Sequence, residues 1–460
     1  MTPVVAAATT TGTLPGLSTR LQIYEEREPP LRRLYSTEMG VIKEVYELKV
    51  QASELPFFVY AARCGPNLML TGAHRPTVTG SGAALTRSAA HDAAIGEAIE
   101  RYCATYLDPE TIVEAPRAQL VEPSIDPATL ARYSEAQYSA PKFGMHRFTE
   151  STCVAWTLMQ RFRDGTELRV PVHCAYLGYH RKKHVAEIGQ LVSTGLACAA
   201  DPAVAILKGL YEAVERDAFN ITWLNRLAMP RLDVTGTSDP TLTQMLALFE
   251  RARLTPSFML LTLDIPIPIV LCMLRDETGA RPALAAGAAA NLDPVRAAAK
   301  AAVEVAHTRL WVSGLGPTKG KKTFSADFRE VENFDDHVWL FDAPEMVRHA
   351  EFLWSSPTVV RVASLPNGCS GDDRRDLDVA CQRVEQAGFD VLHKDMTTPD
   401  IAECGLFVYR AFVPGLQNIN GPHKYRLLGG RRLYDVPVQL GLLKRPHHEA
   451  DLNPIPHPFP

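Results

Sequence analysis

Two stretches of the chain set carboxylates and a guanidinium in the same order: residues 96–102 read GEAIERY and residues 211–217 read YEAVERD. Glutamates three apart share one helix face, so Glu97 with Glu100, and Glu212 with Glu215, each aim two carboxylates the same way. The residues around them (Ala94, Ile95, Ala98 and Ile99; Ile206, Leu207, Leu210, Ala213 and Val214) leave little polar surface. Carboxylates in such a setting are costly to bury unless cations meet them. Magnesium and a nucleotide's phosphates would complete the set, with Arg101 and Arg216 taking phosphate oxygens bidentately. The plainer alternative is two solvated i,i+4 ion pairs, Glu97 with Arg101 and Glu212 with Arg216.

Repetition favours a site. Asp201-Pro202 stands 11 residues before Glu212, Asp293-Pro294 stands 11 before Glu304, and Thr86 stands 11 before Glu97. Asp followed by Pro is a strong helix start, because the carboxylate accepts free N–H groups and Pro has none to satisfy. Small-residue stretches precede each start, TGSGAAL (79–85), STGLACAA (193–200) and AAGAAANL (285–292), and they read as loops. Three loop-cap-helix units are therefore expected, the third carrying Glu304 and Arg309. Glu304 and His307 also form one Glu-x-x-His, but a di-iron bundle needs a second on a Glu-bearing helix and none is present. The stretch GLGPTKGKKT (314–323) lacks a Gly five residues before Gly320 and has Lys322 where a phosphate loop needs Ser or Thr, so it reads as a solvated basic loop.

The elements that must position these groups are those of an α/β protein. Strand-like runs at FFVYAARC, LRVPVHCAYLG, PSFMLLTLDI, IPIVLCMLR, PTVVRVASL, FDVLHKDM and LFVYRAFV alternate with Ala- and Leu-rich helical patterns. The 460 residues, 46% hydrophobic and 22% charged, suffice for a large core. A net charge of −4 gives no basic footprint, which argues against nucleic acid or an anionic membrane as partner. The apolar run 258–274 is broken by Asp264 and prolines and cannot be a membrane span. Nine scattered cysteines without a C-x-x-C pair, and a first segment without the charge pattern of a signal peptide, lead us to expect reduced thiols and a cytoplasmic protein.

The runs SAAHDAAIGEAIERYCA, STGLACAADPAVAILKGLYEAVERDA and AAGAAANLDPVRAAAKAAVEVAHTR resemble the three helical signatures of the YcaO family, and the similarity extends from about residue 60 to the C-terminus. The resemblance implies an α/β fold with internally repeated sheet-plus-helix units around a central ATP site. It implies that ATP and Mg2+ are bound by Glu97, Glu100, Arg101, Thr194, Glu212, Glu215, Arg216, Glu304 and Arg309, with Glu97, Glu100, Glu212 and Glu215 as metal ligands. Three positions depart from the pattern: Ala83 where many relatives have Lys, Ala93 where they have Ser, and Thr194 where they have Asn.

The chain ends NPIPHPFP, with Pro454, Pro456, Pro458 and Pro460 spaced two apart. By composition this is a preformed extended segment, suited to a linker or a docking peptide. Within the resembled family a proline-rich end marks the azoline-forming branch, which implies catalytic placement of Pro458 and Pro460. The expected layout is a flexible tail at 1–35, a YcaO domain at 36–450 and the proline tail at 451–460. The implied activity is ATP-dependent cyclodehydration of Cys, Ser or Thr in a ribosomally made precursor peptide. Thioamide or amidine formation, and a non-catalytic scaffold, are the alternatives. The first 60 residues look too short and irregular to bind a leader peptide, so an E1-like leader-binding partner is expected, together with a flavin-dependent dehydrogenase and a homodimer.

Overall fold

A computed structural model describes residues 30–459 apart from 51–53, 66–77, 180–181, 280 and 320–321. A helical turn at Pro30–Arg33 precedes an antiparallel sheet of β1 (Ile42–Glu47), β2 (Phe58–Cys64) and β3 (Thr79–Ala84), which runs into helix α1 (Arg87–Thr105). After short turns come β4 (Val113–Pro116), β5 (Cys153–Arg161), β6 (Glu167–Pro171), β7 (Leu196–Ala199) and helix α2 (Pro202–Asn225). Next are β8 (Arg231–Asp233), α3 (Pro240–Arg251), β9 (Leu254–Leu260), β10 (Ile269–Asp276), β11 (Leu284–Ala290) and α4 (Pro294–Lys319). The remainder adds α5 (Phe334–Leu340), β12 (Val359–Arg361), α6 (Asp373–Gln386), β13 (Leu392–Asp395), β14 (Phe407–Phe412) and α7 (Arg432–Gln439).

The strands form three sheets with orders β1-β2-β3, β4-β5-β13-β14-β7 (β6 beside β5) and β11-β10-β9-β8-β12. Each sheet ends on a small-residue strand, β3, β7 or β11, that leads directly into a Glu-bearing helix. The expected loops are thus largely strands. Their Ala and Gly residues carry no strand propensity, but packing covers them: all seven residues of β11 are buried, and β3 and β7 are buried or half-buried apart from Thr79. Small size has a purpose here. A Cβ on Gly82 would lie 2.3 Å from Ala94 N of α1, and one on Gly287 would lie 2.2 Å from Val305 N of α4. In the middle unit the glycine sits on the helix, where a Cβ on Gly209 would meet Gly195 O at 2.2 Å. Helix and strand backbones therefore touch, and the helix cannot roll without opening a gap.

Each helix also contacts the small strand of the next unit: α1 meets β7, α2 meets β11 and α4 meets β3. The three units close a ring, and their helices face one another. The caps are those expected, with Thr86 Oγ1 accepting from Ala89 N, Asp201 from Ala203 N, and Asp293 from Val295 N. Helix α2 is buried along nearly its whole length from Ala205 to Asn225, which is why its pattern looks apolar on every side.

Four sequence expectations change. Residues 30–34 belong to the folded body, since Leu34 is buried and Arg32 pairs with Asp92 on α1 at 3.3 Å; residues 1–29 lie outside the described part. Residues 314–319 continue α4 instead of forming a basic loop, and Lys322 pairs with Asp336 at 2.7 Å. The strand expected over LRVPVHCAYLG stops at Pro171 and turns at Val172–Cys174. The proline segment 452–459 is buried apart from Pro454 and is no free docking peptide. All nine cysteines are free thiols, and among the described residues no helix is long and apolar enough to cross a membrane.

Candidate active site

The first glutamate of each pair is tied to the strand of its own unit. Glu97 Oε2 accepts from Ser81 N at 2.5 Å and Ser81 Oγ at 3.1 Å, and its other oxygen pairs with Arg101. Arg101 also donates to Thr79 O at 3.0 Å. Glu212 Oε2 accepts from Gly195 N at 3.2 Å, and its Oε1 lies 3.7 Å from Arg216 Nη2. The ion pairs of the plainer alternative therefore form, and they also anchor helix to strand; the Glu97–Arg101 pair is partly open to solvent and the Glu212–Arg216 pair is more buried.

The second glutamates point into the space between the helices. Burial, with the charges of Glu212 and Glu97, raises the Glu100 carboxyl well above the usual range, against the pull of Arg101 and Arg410. Burial pushes Glu215 up to about 7; Arg216 and Lys300 oppose the shift, while Glu212 and Glu304 add to it. Glu97, Glu100, Glu212, Glu215 and Glu304, contributed by three helices, thus share one field that is short of positive charge. That is the condition a cation and the groups it bridges would relieve.

Two basic residues in this field were not singled out from the sequence. Lys300 is exposed on α4 although Ala297, Ala298, Ala299, Ala301 and Ala302 around it are buried, and it stands one turn before Glu304 on the same face. Desolvation would lower its pKa, but Glu304, Glu215 and Glu212 outweigh it and raise the value. Lys208 occupies the same place before Glu212, and Ala93 before Glu97, so counting back four residues in each repeat would have found it. Arg410 of β14 is 2% exposed and donates from Nη1 to Val192 O at 2.8 Å. Burial pulls its guanidinium down to about 10, and Glu212, Cys174 and Glu100 push back. Only the pairing of β14 with β7, Arg410 opposite Leu196, brings it here.

Thr194 donates to Asn418 Oδ1 at 2.8 Å, and Ala83 packs on the apolar side of α4. Arg309 is a correction. It is 4% exposed, its Nε and Nη2 donate to Glu54 at 2.9 and 3.1 Å, Nη2 donates to Asp276 at 2.9 Å, and Nη1 to Pro282 O at 3.0 Å. All three of its nitrogens are engaged by Glu54, Asp276 and Pro282, so it braces the fold and is not free for the carboxylate cluster.

The C-terminal segment does reach it. Proline has no N–H, so the segment is held by its carbonyls: Arg426 donates to Asn453 O at 3.1 Å and Trp223 to Ile455 O at 2.9 Å. His423 Nε2 lies 2.9 Å from Pro454 O, and His337 Nδ1 lies 3.1 Å from His457 O. The His337 and His457 rings stack at 3.9 Å, and Phe459 lies on Phe219 and over the Arg216 guanidinium, 4.2 Å from ring centroid to Cζ. Pro458 is buried in this run; Pro460 lies outside the described residues.

Among the described residues no group of three or more His, Cys, Asp or Glu is gathered closely enough to hold a metal ion alone. The four glutamates expected as metal ligands therefore do not form an all-protein cage. A magnesium ion that keeps one or two carboxylates and completes its octahedron with phosphate oxygens and water fits this arrangement, and the raised carboxyls of Glu100 and Glu215 fit a site that awaits positive charge.

Residues 81–417 match the family model described as YcaO cyclodehydratase, ATP- and Mg2+-binding. The chain belongs to the YcaO family, whose cofactors are ATP and Mg2+. It is similar to a solved heterocyclase in complex with substrate and cofactor, at 26% identity and a TM-score of 0.79 over 94% of this chain and 57% of that one. A second similar structure is the heterocyclase TruD, at 27% identity and a TM-score of 0.63 over 81% and 51%. The chain thus spans a little over half the length of each heterocyclase. YcaO from Methanopyrus kandleri, bound with AMPPCP and Mg2+, shares the fold at 20% identity and a TM-score of 0.58, over 88% of this chain and 91% of that one.

Proposed function

We propose that the chain is an ATP-dependent cyclodehydratase that converts Cys, Ser or Thr of a ribosomally made peptide into thiazolines or oxazolines. The observation that carries this reading is the buried proline segment, which brings Phe459 onto Arg216 beside Glu212 and Glu215. In the resembled family a proline-rich end goes with azoline formation, and thioamide or amidine formation is the alternative reading.

In this reaction the Cys, Ser or Thr side chain attacks the preceding carbonyl carbon and gives up its proton. The resulting oxyanion takes the γ-phosphoryl group of ATP and ADP leaves. The amide nitrogen then expels phosphate and loses its proton, so the former carbonyl oxygen departs in phosphate and a C=N bond closes the ring. Magnesium, when bound, neutralises the polyphosphate and favours phosphoryl transfer. Glu100 and Glu215 would hold it, anchored from behind by Glu97 and Glu212. Arg216 and Lys300 would face phosphate oxygens, and Thr194 can offer only a hydroxyl. A leader-binding partner of the ubiquitin-activating-like type, a flavin-dependent dehydrogenase and a homodimer belong to the same reading.

The test is ADP release by purified protein with its partner and precursor, alongside the mass of the product, which loses one water per ring. Glu100→Gln or Glu215→Gln should each lower ADP release by about 100-fold, the effect of ~2.7 kcal/mol lost from the transition state. Turnover indifferent to both changes would reject the reading.

A further inference from the structure

A cleft that is partly open to solvent, with a cavity volume of about 100 Å³, adjoins the carboxylate cluster. Ala213 and Thr194, which line it, are the chain neighbours of Glu212 and Gly195, and Arg410 lies in its wall. Phe148, Ile188 and Leu427 supply apolar wall, while His173, Thr194, Asn418 and Arg410 supply a few polar groups. Of the residues in the nucleotide reading, Thr194 stands in this wall.

Arg410 makes the cleft more than a gap. It is 2% exposed, no ion pair to a carboxylate is formed among the described residues, and its Nε finds no hydrogen-bond partner there. A buried guanidinium with donors to spare is expensive unless acceptors arrive with a ligand. The wall also holds the exposed Arg132, the amides of Gln190, Gln417, Asn418 and Asn420, and His173, whose pKa is lowered to about 4 by burial and by Arg410, so that it is a neutral ring at ordinary pH. A ligand that offers carbonyl acceptors and an apolar side chain matches this lining. A polyphosphate would gain from Arg410 but would waste the apolar wall.

We propose that the cleft holds the substrate peptide, with an apolar side chain just before the cyclising residue packed against Phe148 and Ile188 and a backbone carbonyl accepting from Arg410. The proposal rests on the cyclodehydratase reading for the identity of the occupant. Its position follows from geometry: the carbonyl on Arg410 would sit next to the Glu212 unit, where phosphoryl transfer is placed.

The probe is a photoreactive tripeptide, acetyl-benzoylphenylalanine-Cys-Gly amide, irradiated with the full chain in the presence and absence of AMPPCP and Mg2+. Adducts mapped by mass spectrometry are expected on segments 130–138, 173–174, 188–194 and 410–420. Ile188→Trp, which fills the cleft from a loop, should cut adduct yield by about tenfold and leave the Kd for AMPPCP unchanged. Adducts confined to other segments, or no adducts, would overturn the proposal. So would Ile188→Trp weakening AMPPCP instead, since the cleft would then house the nucleotide. Failure of the unmodified chain to bind AMPPCP would reject the ATP-dependent reading separately, because the adducts formed without nucleotide still locate the peptide.

Discussion

The ring of Phe459 covers the Arg216 guanidinium, with 4.2 Å from centroid to Cζ, across 243 positions of sequence. One side of Arg216 thereby faces an aromatic surface while its nitrogens lie 3.7 Å from Glu212 and 3.6 Å from Glu215. A guanidinium held this way loses little freedom when it meets phosphate.

Phe459→Ala should therefore slow ADP release by about tenfold, in line with the ~1–2 kcal/mol of a desolvated cation–π contact, while AMPPCP affinity changes less. Steady-state rates against titration calorimetry separate the two effects. A rate equal to that of the parent would show that the tail has no part in turnover.

Lys300 stands where Glu304, Glu215 and Glu212 hold it protonated. Lys300→Met should weaken Mg-ATP binding by about tenfold or more, the scale of a charge-assisted hydrogen bond, and Lys300→Arg should restore most of it. Binding of AMP, which lacks the outer phosphates, should be nearly indifferent; an equal loss for AMP and ATP would point to a structural role.

Arg309 offers the contrasting case. Removing it in Arg309→Met strands Glu54 and Asp276, both nearly buried, and should cost about 3–5 kcal/mol of stability. Urea denaturation should show the shift, and the folded fraction should bind AMPPCP as the parent does. Loss of nucleotide affinity without loss of stability would return Arg309 to the ATP site.

The histidines around the tail predict acid sensitivity. Burial holds His337 near 4 and keeps His457 and His423 well below the ordinary imidazole value; Arg426 adds to the shift at His423, and Arg216 at His457. The unfolded chain takes up protons first as pH falls, so the stability these rings contribute is whole above about 6.5 and is lost between there and about 4 for His337, at ~1.4 kcal/mol for each unit of pH. Thermal midpoints should drop over that window, with residues 453–459 gaining hydrogen exchange before the core. His457→Phe should flatten the dependence; an unchanged slope would place the sensitivity elsewhere.

Local chemistry was legible in the sequence. Glu97 and Glu100, Glu212 and Glu215, and Glu304 sit on three helices whose starts Thr86, Asp201 and Asp293 announce, because capping and the 3.6-residue period act over a few residues. The threefold recurrence was legible for the same reason. What the small-residue stretches would become was not, since Ala and Gly have little preference of their own; β3, β7 and β11 are strands because helices lie directly on them and their backbones needed partners. Nor could sequence tell Arg216 from Arg309. Both follow a glutamate on a helix, yet α2 turns one toward the carboxylates and the ring geometry leaves the other to Glu54 and Asp276. The same long-range packing set Arg410 beside Glu212 and laid the proline segment against Trp223, His337 and Arg216, contacts between residues 120 to 243 positions apart that no local rule reaches.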